Sequence, residues 1–283
     1  MGTSGWKYRS WRGVFYPENL PHSQELEFIS SIFPSLEING TFYSLKRPHI
    51  FERWFEETPD NFIFSIKGGR FITHMKKLLH IKKPLANFFA SGVLALGHKL
   101  GPILWQFPTS LRFEFERFSS FFSELPASME EASVLAKKHD YRVSGRSKLK
   151  QIWDGPVRHA VEVRHESFHC QEFLGLLKKH SIALVASDGA KRWRLFKERT
   201  TDFIYLKFHG EGALYTGNYR RSTLVRWTDY IRSELKRAAT AYVYFDNDAK
   251  VFAPFNAHTL STILGNERVT KSWENAYLPA SPN

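Results

Sequence analysis

The sequence is poor in cysteine, with Cys170 as its only one among 283 residues. A single cysteine cannot form an internal disulfide or supply a zinc site with several thiolates, so nothing here requires an oxidising compartment. The chain also has no recognisable signal peptide and no apolar run long enough to span a bilayer. These absences predict a cytoplasmic protein without a membrane partner.

Several common cofactor and metal motifs are absent as well. The sequence has no glycine-rich turn of the dinucleotide or P-loop kind between a strand and a helix, and no HExxH motif for zinc. Acidic residues are few: 28 Asp and Glu stand against 40 Lys and Arg, which gives a formal net charge of +12. This excess favours an anionic partner, either a small molecule or a nucleic acid, although a basic solvated exterior has the same composition. The oligomeric state does not follow from any of these features.

Eight short apolar stretches alternate with segments of helical periodicity. The predicted strands are residues 3–6, 36–39, 62–67, 103–107, 159–164, 182–188, 203–209 and 241–248. Such alternation, without a break in composition, predicts an α/β fold with a single (β/α)8 TIM-type barrel over residues 1–270. We expect an insertion at 126–158 between strands four and five, and a loose tail at 271–283. A doubly wound open sheet is the main alternative.

The fifth predicted strand shows most clearly where a site would lie. Alternation places Ala160, Glu162 and Arg164 on one side of this strand, and Val161 and Val163 on the other. A strand that carries an acid and a guanidinium at its carboxyl end is typical of a barrel whose mouth is polar.

Other strands repeat this arrangement of one polar and one apolar side. The polar residues are Glu37 and Asn39 on strand two, Lys67 on strand three, Gln106 on strand four, Asp188 on strand six, and Lys207 and His209 on strand seven. Because the carboxyl ends of barrel strands meet at one mouth, we expect these side chains to converge there. Strand eight is ambiguous, since Asp246, Asn247 and Asp248 occupy both of its faces.

These residue types suit acid and base chemistry on an anionic substrate. We predict that Glu162, Glu37 and His209 are catalytic, with Glu162 as the acid or base and Arg164 depressing its pKa. Lys67, Arg164, Lys207 and His209 are suited to holding phosphate or carboxylate groups.

Other interpretations of the same residues remain open. The charged groups can form a purely structural salt-bridge network that fills the barrel mouth. A divalent metal held by Glu37, Glu162, Asp188 and the histidines is a further alternative, although the interleaved cations oppose it, and no metal is our prediction. A two-carboxylate glycosidase needs a separation that the sequence does not give.

Two runs that mix aromatic and basic residues also fit nucleic acid. They lie at residues 6–12 and 215–227, where aromatic rings alternate with Lys and Arg. Stacked bases on a phosphate chain suit such surfaces, as do sugar rings or ordinary packing at a barrel rim.

Motifs in order along almost the whole chain resemble those of the YecE-like proteins, a family catalogued as domain of unknown function seventy-two. The motifs are residues 2–6, 37–39 with 41–43, 64–67, 73–74, 104–108, 162–168, 208–210, 244–248 and 256–257. The resemblance implies a single TIM-type barrel of bacterial-type cytoplasmic proteins, and it lends no reaction. Family members usually carry a few apolar residues before the first glycine, where this chain has Met1, so strand one is expected to be truncated or misassigned at its start.

The family motifs and the strand pattern together define the predicted site. The substrate-binding residues are Lys67, Arg164, Asn39, Gln106, Asp188, Lys207, Trp6, His74, His165 and Asn247. The leading hypothesis is an enzyme with a charged barrel-mouth site for an anionic substrate, such as a phosphorylated or nucleotide-containing molecule, with no assigned reaction. The alternatives are a nucleic-acid-binding protein without its own chemistry and a non-catalytic barrel with a structural salt-bridge core.

Overall fold

Eight parallel strands form a nearly closed barrel in the computed structural model, which describes residues 1–277. The strands are β1 Gly2–Thr3, β2 Ser35–Ile38, β3 Ile63–Lys67, β4 Leu100–Gln106, β5 His159–Glu162, β6 Ala183–Asp188, β7 Phe203–Phe208 and β8 Thr240–Phe245. Their order around the sheet is β1-β8-β7-β6-β5-β4-β3-β2. The predicted fold class, a single (β/α)8 barrel, is confirmed.

Ten α-helices accompany these strands in the described part of the chain. They are α1 Glu25–Ile32, α2 Gly40–Tyr43, α3 Pro48–Glu56, α4 Lys82–Ala90, α5 Phe115–Ser123, α6 Met129–Ala136, α7 Gln171–Lys179, α8 Arg221–Leu235, α9 Phe252–Leu264 and α10 Glu267–Tyr277. The predicted insertion at 126–158 contains α6 and a turn of 3-10 helix at Tyr141–Val143. Residues 189–202, all of them described, join β6 to β7 without a helix. None of the helices in residues 1–277 is long and apolar enough to cross a membrane.

The ring closes through the short first strand. Gly2 pairs with Tyr244 of β8, while Ser4 bridges to Glu37 of β2 and the Gly5 amide donates to the Glu37 carbonyl at 2.7 Å. A Cβ at Gly2 would lie only 1.8 Å from the Ser35 carbonyl oxygen, so the close approach of β1 to β2 requires glycine. The strand is shorter than expected and begins one residue before the predicted range.

Alternate residues of each strand face the barrel interior. The interior cluster consists of Leu104, Ala160, Ala183, Val185, Phe203, Tyr205, Tyr242 and Tyr244. The outward residues, among them Trp105, Val161 and Phe208, join a larger aromatic core beneath the helices. Because side chains alternate along a strand, a residue two positions beyond an interior residue lies on the same side. The last such residue of each strand therefore reaches the mouth.

The prediction of a loose carboxyl-terminal tail is wrong for residues 271–277. They belong to α10, which places Trp273 and Tyr277 against Phe15, with ring centroids 5.9 and 6.2 Å apart. Trp273 also packs against Phe33 at 6.3 Å. The spacing of Val269, Trp273 and Tyr277 by four residues gives the helix one apolar stripe, and burying that stripe stabilises it. Residues 278–283 lie outside the described part of the chain.

Candidate functional site

A cavity of about 650 Å³ opens at the carboxyl ends of the strands. Residues from several strand ends and loops line it, including Trp6, Asn39, Lys67, Tyr215, Asp246 and Asp248. Catalytic sites of parallel barrels lie at this end of the fold. The predicted position of a polar site therefore coincides with an open, water-accessible space.

Glu37 is the centre of a hydrogen-bonded cluster on one side of the mouth, below the cavity. Its side chain is fully buried, and one carboxylate oxygen accepts hydrogen bonds from Ser4 and from the Lys207 ammonium. The other oxygen accepts a hydrogen bond from the Tyr205 hydroxyl at 2.5 Å. Such a buried carboxylate is stable only because it is paired and hydrogen-bonded.

Glu162 organises the other side of the mouth. Its Oε1 accepts from Arg164 Nη2 at 2.8 Å, Arg164 Nε at 3.0 Å and Ser187 Oγ at 3.0 Å, and it lies 3.1 Å from His209 Nε2. Burial opposes the ionised form, but the charges of Arg164 and His209 outweigh it and hold the pKa of Glu162 well below its ordinary value. Its Oε2 is buried and has no hydrogen-bond partner within the described residues.

His209 and Lys207 connect the two carboxylates through Asp246. The Asp246 Oδ2 lies 3.0 Å from His209 Nδ1 and 3.6 Å from Lys207 Nζ. Burial disfavours the imidazolium, but Glu162 and Asp246 outweigh it and raise the pKa of His209. Burial likewise opposes the charge of Lys207, while Asp246 and Glu37 more than offset that effect and raise its pKa. Both shifts favour the protonated, cationic forms of these side chains.

Lys67 is a cation at the mouth without a carboxylate partner among residues 1–277. Its Nζ lies 4.5 Å from the centroid of the Phe42 ring, and the ion pairs of the mouth involve Lys207, Arg164 and His209 instead. Burial and the neighbouring charge of Lys207 lower the pKa of Lys67. Because its ammonium group lines the cavity, it is available to an incoming anion.

Asp246 and Asp248 form a pair of carboxylates with opposite pKa shifts. Burial opposes the ionised form of Asp246, but Lys207 and His209 outweigh it and lower its pKa. At Asp248, burial and the charge of Asp246 raise the pKa to about 6. Carboxyl groups whose environments separate their pKa values in this way are suited to proton transfer near neutral pH.

Two loops bring aromatic rings over the buried ion pairs. The Arg164 guanidinium stacks 4.1 Å from the Trp193 ring, which comes from the loop between β6 and β7. In the loop after β7, Tyr215 has a left-handed backbone with φ of 62° and places its ring 5.5 Å from that of His209. A non-glycine residue in this region is uncommon and carries a conformational cost, which the surrounding contacts offset.

Six of the predicted charged residues do converge on the mouth, and two other predicted residues face away. Glu37, Lys67, Glu162, Arg164 and His209 lie in the network described above, together with Lys207. The predicted orientation of Asp188 is wrong, because Ala183 and Val185 of β6 face the barrel interior and the inward residue at the end of this strand is Ser187. Asn247 also faces outward and donates to the Gly217 carbonyl and to Asn256, both at 2.8 Å.

The remaining predicted binding residues lie around the mouth or below it. His165 begins a 3-10 turn and accepts the Ser167 amide at 3.0 Å, while Gln106 is buried and donates to the Phe107 carbonyl at 2.8 Å. His74 packs edge-on against Phe42, with ring centroids 5.0 Å apart. Burial and then the charge of Lys67 lower the pKa of His74 to about 4, which keeps this imidazole neutral. None of these three belongs to the cavity lining.

Several mouth residues were not among the predicted set. Ser187, Trp193 and Tyr215 contact the Glu162 network, and Asp246 and Asp248 line the cavity. Tyr242 and Tyr244 face the barrel interior. Asp246 and Asp248 follow them at intervals of two residues, so alternation along the strand would have predicted that both aspartates also face inward. Trp193 carried no comparable signal, since loop conformation is not periodic, whereas Tyr215 begins the aromatic and basic run at 215–227.

No group of three or more metal-ligating side chains in residues 1–277 is arranged to hold a metal ion. The carboxylates of Glu37, Glu162 and Asp246 instead form ion pairs with Lys207, Arg164 and His209. The prediction that the protein uses no metal stays a prediction.

The fold and the mouth define an α/β barrel with a buried ion network beneath an open cavity. A family model described as "Protein of unknown function DUF72" matches residues 1–281. The chain therefore belongs to the DUF72 family, and the predicted membership is confirmed.

Two curated relatives both carry the designation UPF0759. The chain is 21% identical over 290 residues to the UPF0759 protein YunF of Bacillus subtilis, covering 94% of this chain and 95% of that protein. It is 32% identical over 118 residues to the UPF0759 protein YecE of Escherichia coli, covering 35% of this chain and 43% of that protein. These names assign no activity.

Solved structures of the family have the same fold. A DUF72 family protein from Thermotoga maritima superposes with a TM-score of 0.73 at 26% identity, covering 93% of this chain and 98% of that one. A DUF72 family protein from Enterococcus faecalis gives a TM-score of 0.67 at 16% identity, covering 85% and 88%, and this likeness shows the fold alone.

Proposed function

We propose that the protein is an enzyme whose barrel-mouth cavity binds a small anionic substrate. The observation that carries this proposal is a cation of the mouth that has no carboxylate partner. Lys207, Arg164 and His209 are each paired with a carboxylate, whereas Lys67, which lines the cavity, has no such partner among residues 1–277. An anionic group of a substrate, such as a phosphate or carboxylate, would supply the missing partner.

Proton transfer in this cavity is assigned to Asp248 rather than to Glu162. Asp248 lines the cavity and has a pKa of about 6, so both of its protonation states are accessible near neutral pH. Glu162 is fully buried and accepts from Arg164 and Ser187, which suits a residue that positions Arg164 and His209. Glu37 has a similar position beneath Lys207.

A ligand screen on three variants tests this proposal. We expect inorganic phosphate and small phosphorylated or carboxylated metabolites to raise the melting temperature of the wild-type protein, because a ligand stabilises the state that it binds. Lys67→Met should abolish that shift and Lys67→Arg should retain part of it. Lys178→Met, which removes an exposed lysine at the end of α7, is the matched control and should keep the full shift.

Two outcomes would contradict the proposal. If Lys67→Met and Lys178→Met give the same shifts as the wild type, Lys67 is not the anion-binding group. If no anion shifts the melting temperature of the wild type, the cavity does not have the proposed role.

Nucleic-acid binding is the second candidate function, and one feature of the sequence favours it. Residues 61–113 contain no Asp or Glu but eight Lys and Arg. Within this stretch Lys76 and Lys77 are exposed, and the Arg70 guanidinium lies 5.5 Å from the exposed ring of Tyr43 at the cavity edge. Basic side chains beside exposed rings suit a phosphate chain with stacked bases.

A charge-reversal pair separates this candidate from the first. Lys76→Glu with Lys77→Glu should weaken binding of a labelled single-stranded oligonucleotide and reduce its salt dependence by about 0.7 in log–log slope for each lost phosphate contact. Lys178→Glu with Lys179→Glu makes the same change in net charge at exposed positions on α7 and should have no effect. Equal affinities for the two double variants would exclude this surface.

The third interpretation, a barrel mouth filled by a structural ion network, is disfavoured by the cavity. The ion pairs of Glu37 and Glu162 do fill the space immediately beneath the mouth. Above them lies an open volume of about 650 Å³, which such a network does not require.

A further inference from the structure

The cavity lining combines two kinds of side chain. Lys67 at the end of β3 and Asp246 and Asp248 after β8 contribute charged groups. Trp6 and Tyr43 contribute aromatic rings to the same wall. An anion that used only Lys67 would leave these rings without a contact, so the rings indicate a second part of the ligand.

Trp6 presents a hydrogen-bond donor that the protein itself does not use. Its side chain is only 6% exposed and its ring packs edge-on against Trp54 at 5.6 Å. The indole Nε1 is buried and has no acceptor among the described residues, although this side chain lines the cavity. A buried N–H without an acceptor is costly, and such groups normally have a partner.

Asn39 presents the complementary group beside it. Its Nδ2 donates to the Ser4 carbonyl at 3.3 Å, and this contact fixes the orientation of the amide. Its Oδ1 is buried and has no donor within residues 1–277. Trp6 and Asn39 therefore bring one unused donor and one unused acceptor to the wall of the same cavity.

From these contacts we infer that the substrate is a heteroaromatic ring joined to a phosphate group. The ring would lie against Trp6 and Tyr43, with an acceptor toward the indole N–H and a donor toward Asn39 Oδ1. The phosphate would pair with Lys67, so the inference rests on the proposed function for that half of the ligand. A nucleoside monophosphate is the simplest molecule with this combination of groups.

Three phosphate probes of increasing size test the inference by calorimetric titration. They are inorganic phosphate, ribose 5-phosphate and the set of nucleoside monophosphates. We expect at least one nucleotide to bind roughly tenfold or more tightly than ribose 5-phosphate, because ring stacking and hydrogen bonds add to the phosphate contact. Equal affinity for nucleotides and ribose 5-phosphate would overturn the ring assignment and leave the anion site intact.

Variants locate the ring within the cavity. Trp6→Phe keeps an aromatic ring but removes the N–H, and it should weaken nucleotide binding by about three- to tenfold without changing the affinity for inorganic phosphate. Trp153→Phe, in the stretch between α6 and β5, is the matched control and should change neither. If Trp6→Phe weakens both probes equally, the indole does not contact the ring.

A second variant does not depend on the folding of a buried position. Tyr43 is 66% exposed at the cavity edge, so Tyr43→Ala should leave the protein folded. It should weaken nucleotide binding about tenfold and leave phosphate binding unchanged. Failure of every phosphate compound to bind the wild type would overturn the anion site as well, whereas loss of ring selectivity alone would overturn only this inference.

Discussion

The ion pair between Lys207 and Glu37 allows a quantitative test of how the barrel interior is held. Both side chains have 0% exposure, and Glu37 has two further hydrogen-bond donors in Ser4 and Tyr205. Lys207→Met would leave the Glu37 carboxylate buried with hydroxyl partners alone. Because an uncompensated buried charge costs about 3–5 kcal/mol, we expect a loss of that size in the free energy of unfolding.

An exposed ion pair on α10 supplies the scale for comparison. Lys271 and Glu267 are separated by 3.7 Å, with side chains 74% and 84% exposed. Exposed pairs of this spacing contribute about 0.5 kcal/mol or less, so Lys271→Met should scarcely change stability. Urea unfolding followed by tryptophan fluorescence measures both variants on the same scale.

A double-mutant cycle distinguishes pairing from simple loss of packing. Glu37→Gln should also be destabilising, since it leaves the Lys207 ammonium with Asp246 alone at 3.6 Å. Glu37→Gln combined with Lys207→Met removes both charges, and its destabilisation should be smaller than the sum of the single effects by about 2 kcal/mol or more.

The pH dependence gives an independent check with a definite sign. Because the folded-state pKa of Lys207 is raised above its ordinary value of 10.5, its stabilisation is fully present below that value and is lost as the pH rises further. The wild type should therefore lose this contribution only in strongly alkaline solution. Single variants whose effects add, or a Lys207→Met variant no less stable than Lys271→Met, would refute the reasoning.

Three further predictions concern titratable groups of the mouth. Glu162→Gln should lower the pKa of His209, because it removes the carboxylate charge that contributes most to favouring the imidazolium; NMR titration of the ring measures this. Lys67→Met should raise the pKa of His74 from about 4 by removing an adjacent cation, and an unchanged value would contradict the assigned cause. Asp248→Asn should stabilise the protein at pH 7 to 8 by roughly 1 kcal/mol after allowance for solvent screening. The folded pKa of Asp248 is raised from 3.8 to about 6, so the gain should vanish below pH 3.8.

The arrangement of the site could be predicted where strands have one polar and one apolar side. In β2, β5 and β7 the polar members, such as Glu37, Glu162 and Lys207, alternate with large apolar residues, and each of them does face the mouth. The fold followed from the same periodicity, because eight strands alternating with helices have few stable arrangements.

The prediction failed where both sides of a strand are apolar. In β6, Leu184 and Val185 are neighbours and lie on opposite sides of the strand, so both sides are apolar and periodicity cannot decide which one is inward. Ala183 and Val185 are buried in the barrel interior, and Ser187 therefore points to the mouth. The α10 helix was missed for a different reason. Most of its residues are polar, which is typical of a loose tail. Its stability comes from packing on Phe15, a residue near the other end of the sequence, and local periodicity does not reveal such a contact.

The ion network has a consequence for the cavity that an apolar core would not have. Replacing buried ion pairs with apolar groups of similar volume is often neutral or stabilising, so stability alone does not account for the pairs of Glu37 and Glu162. The ion pairs instead fix the position of Asp246, which lines the cavity. Its Oδ2 lies 3.6 Å from Lys207 Nζ and 3.0 Å from His209 Nδ1. The charge of Lys207 also lowers the pKa of Lys67. The affinity of Lys67 for an anionic ligand therefore depends on the charges of the network beneath it. We expect Lys207→Met to change ligand affinity even at a temperature where the variant remains folded.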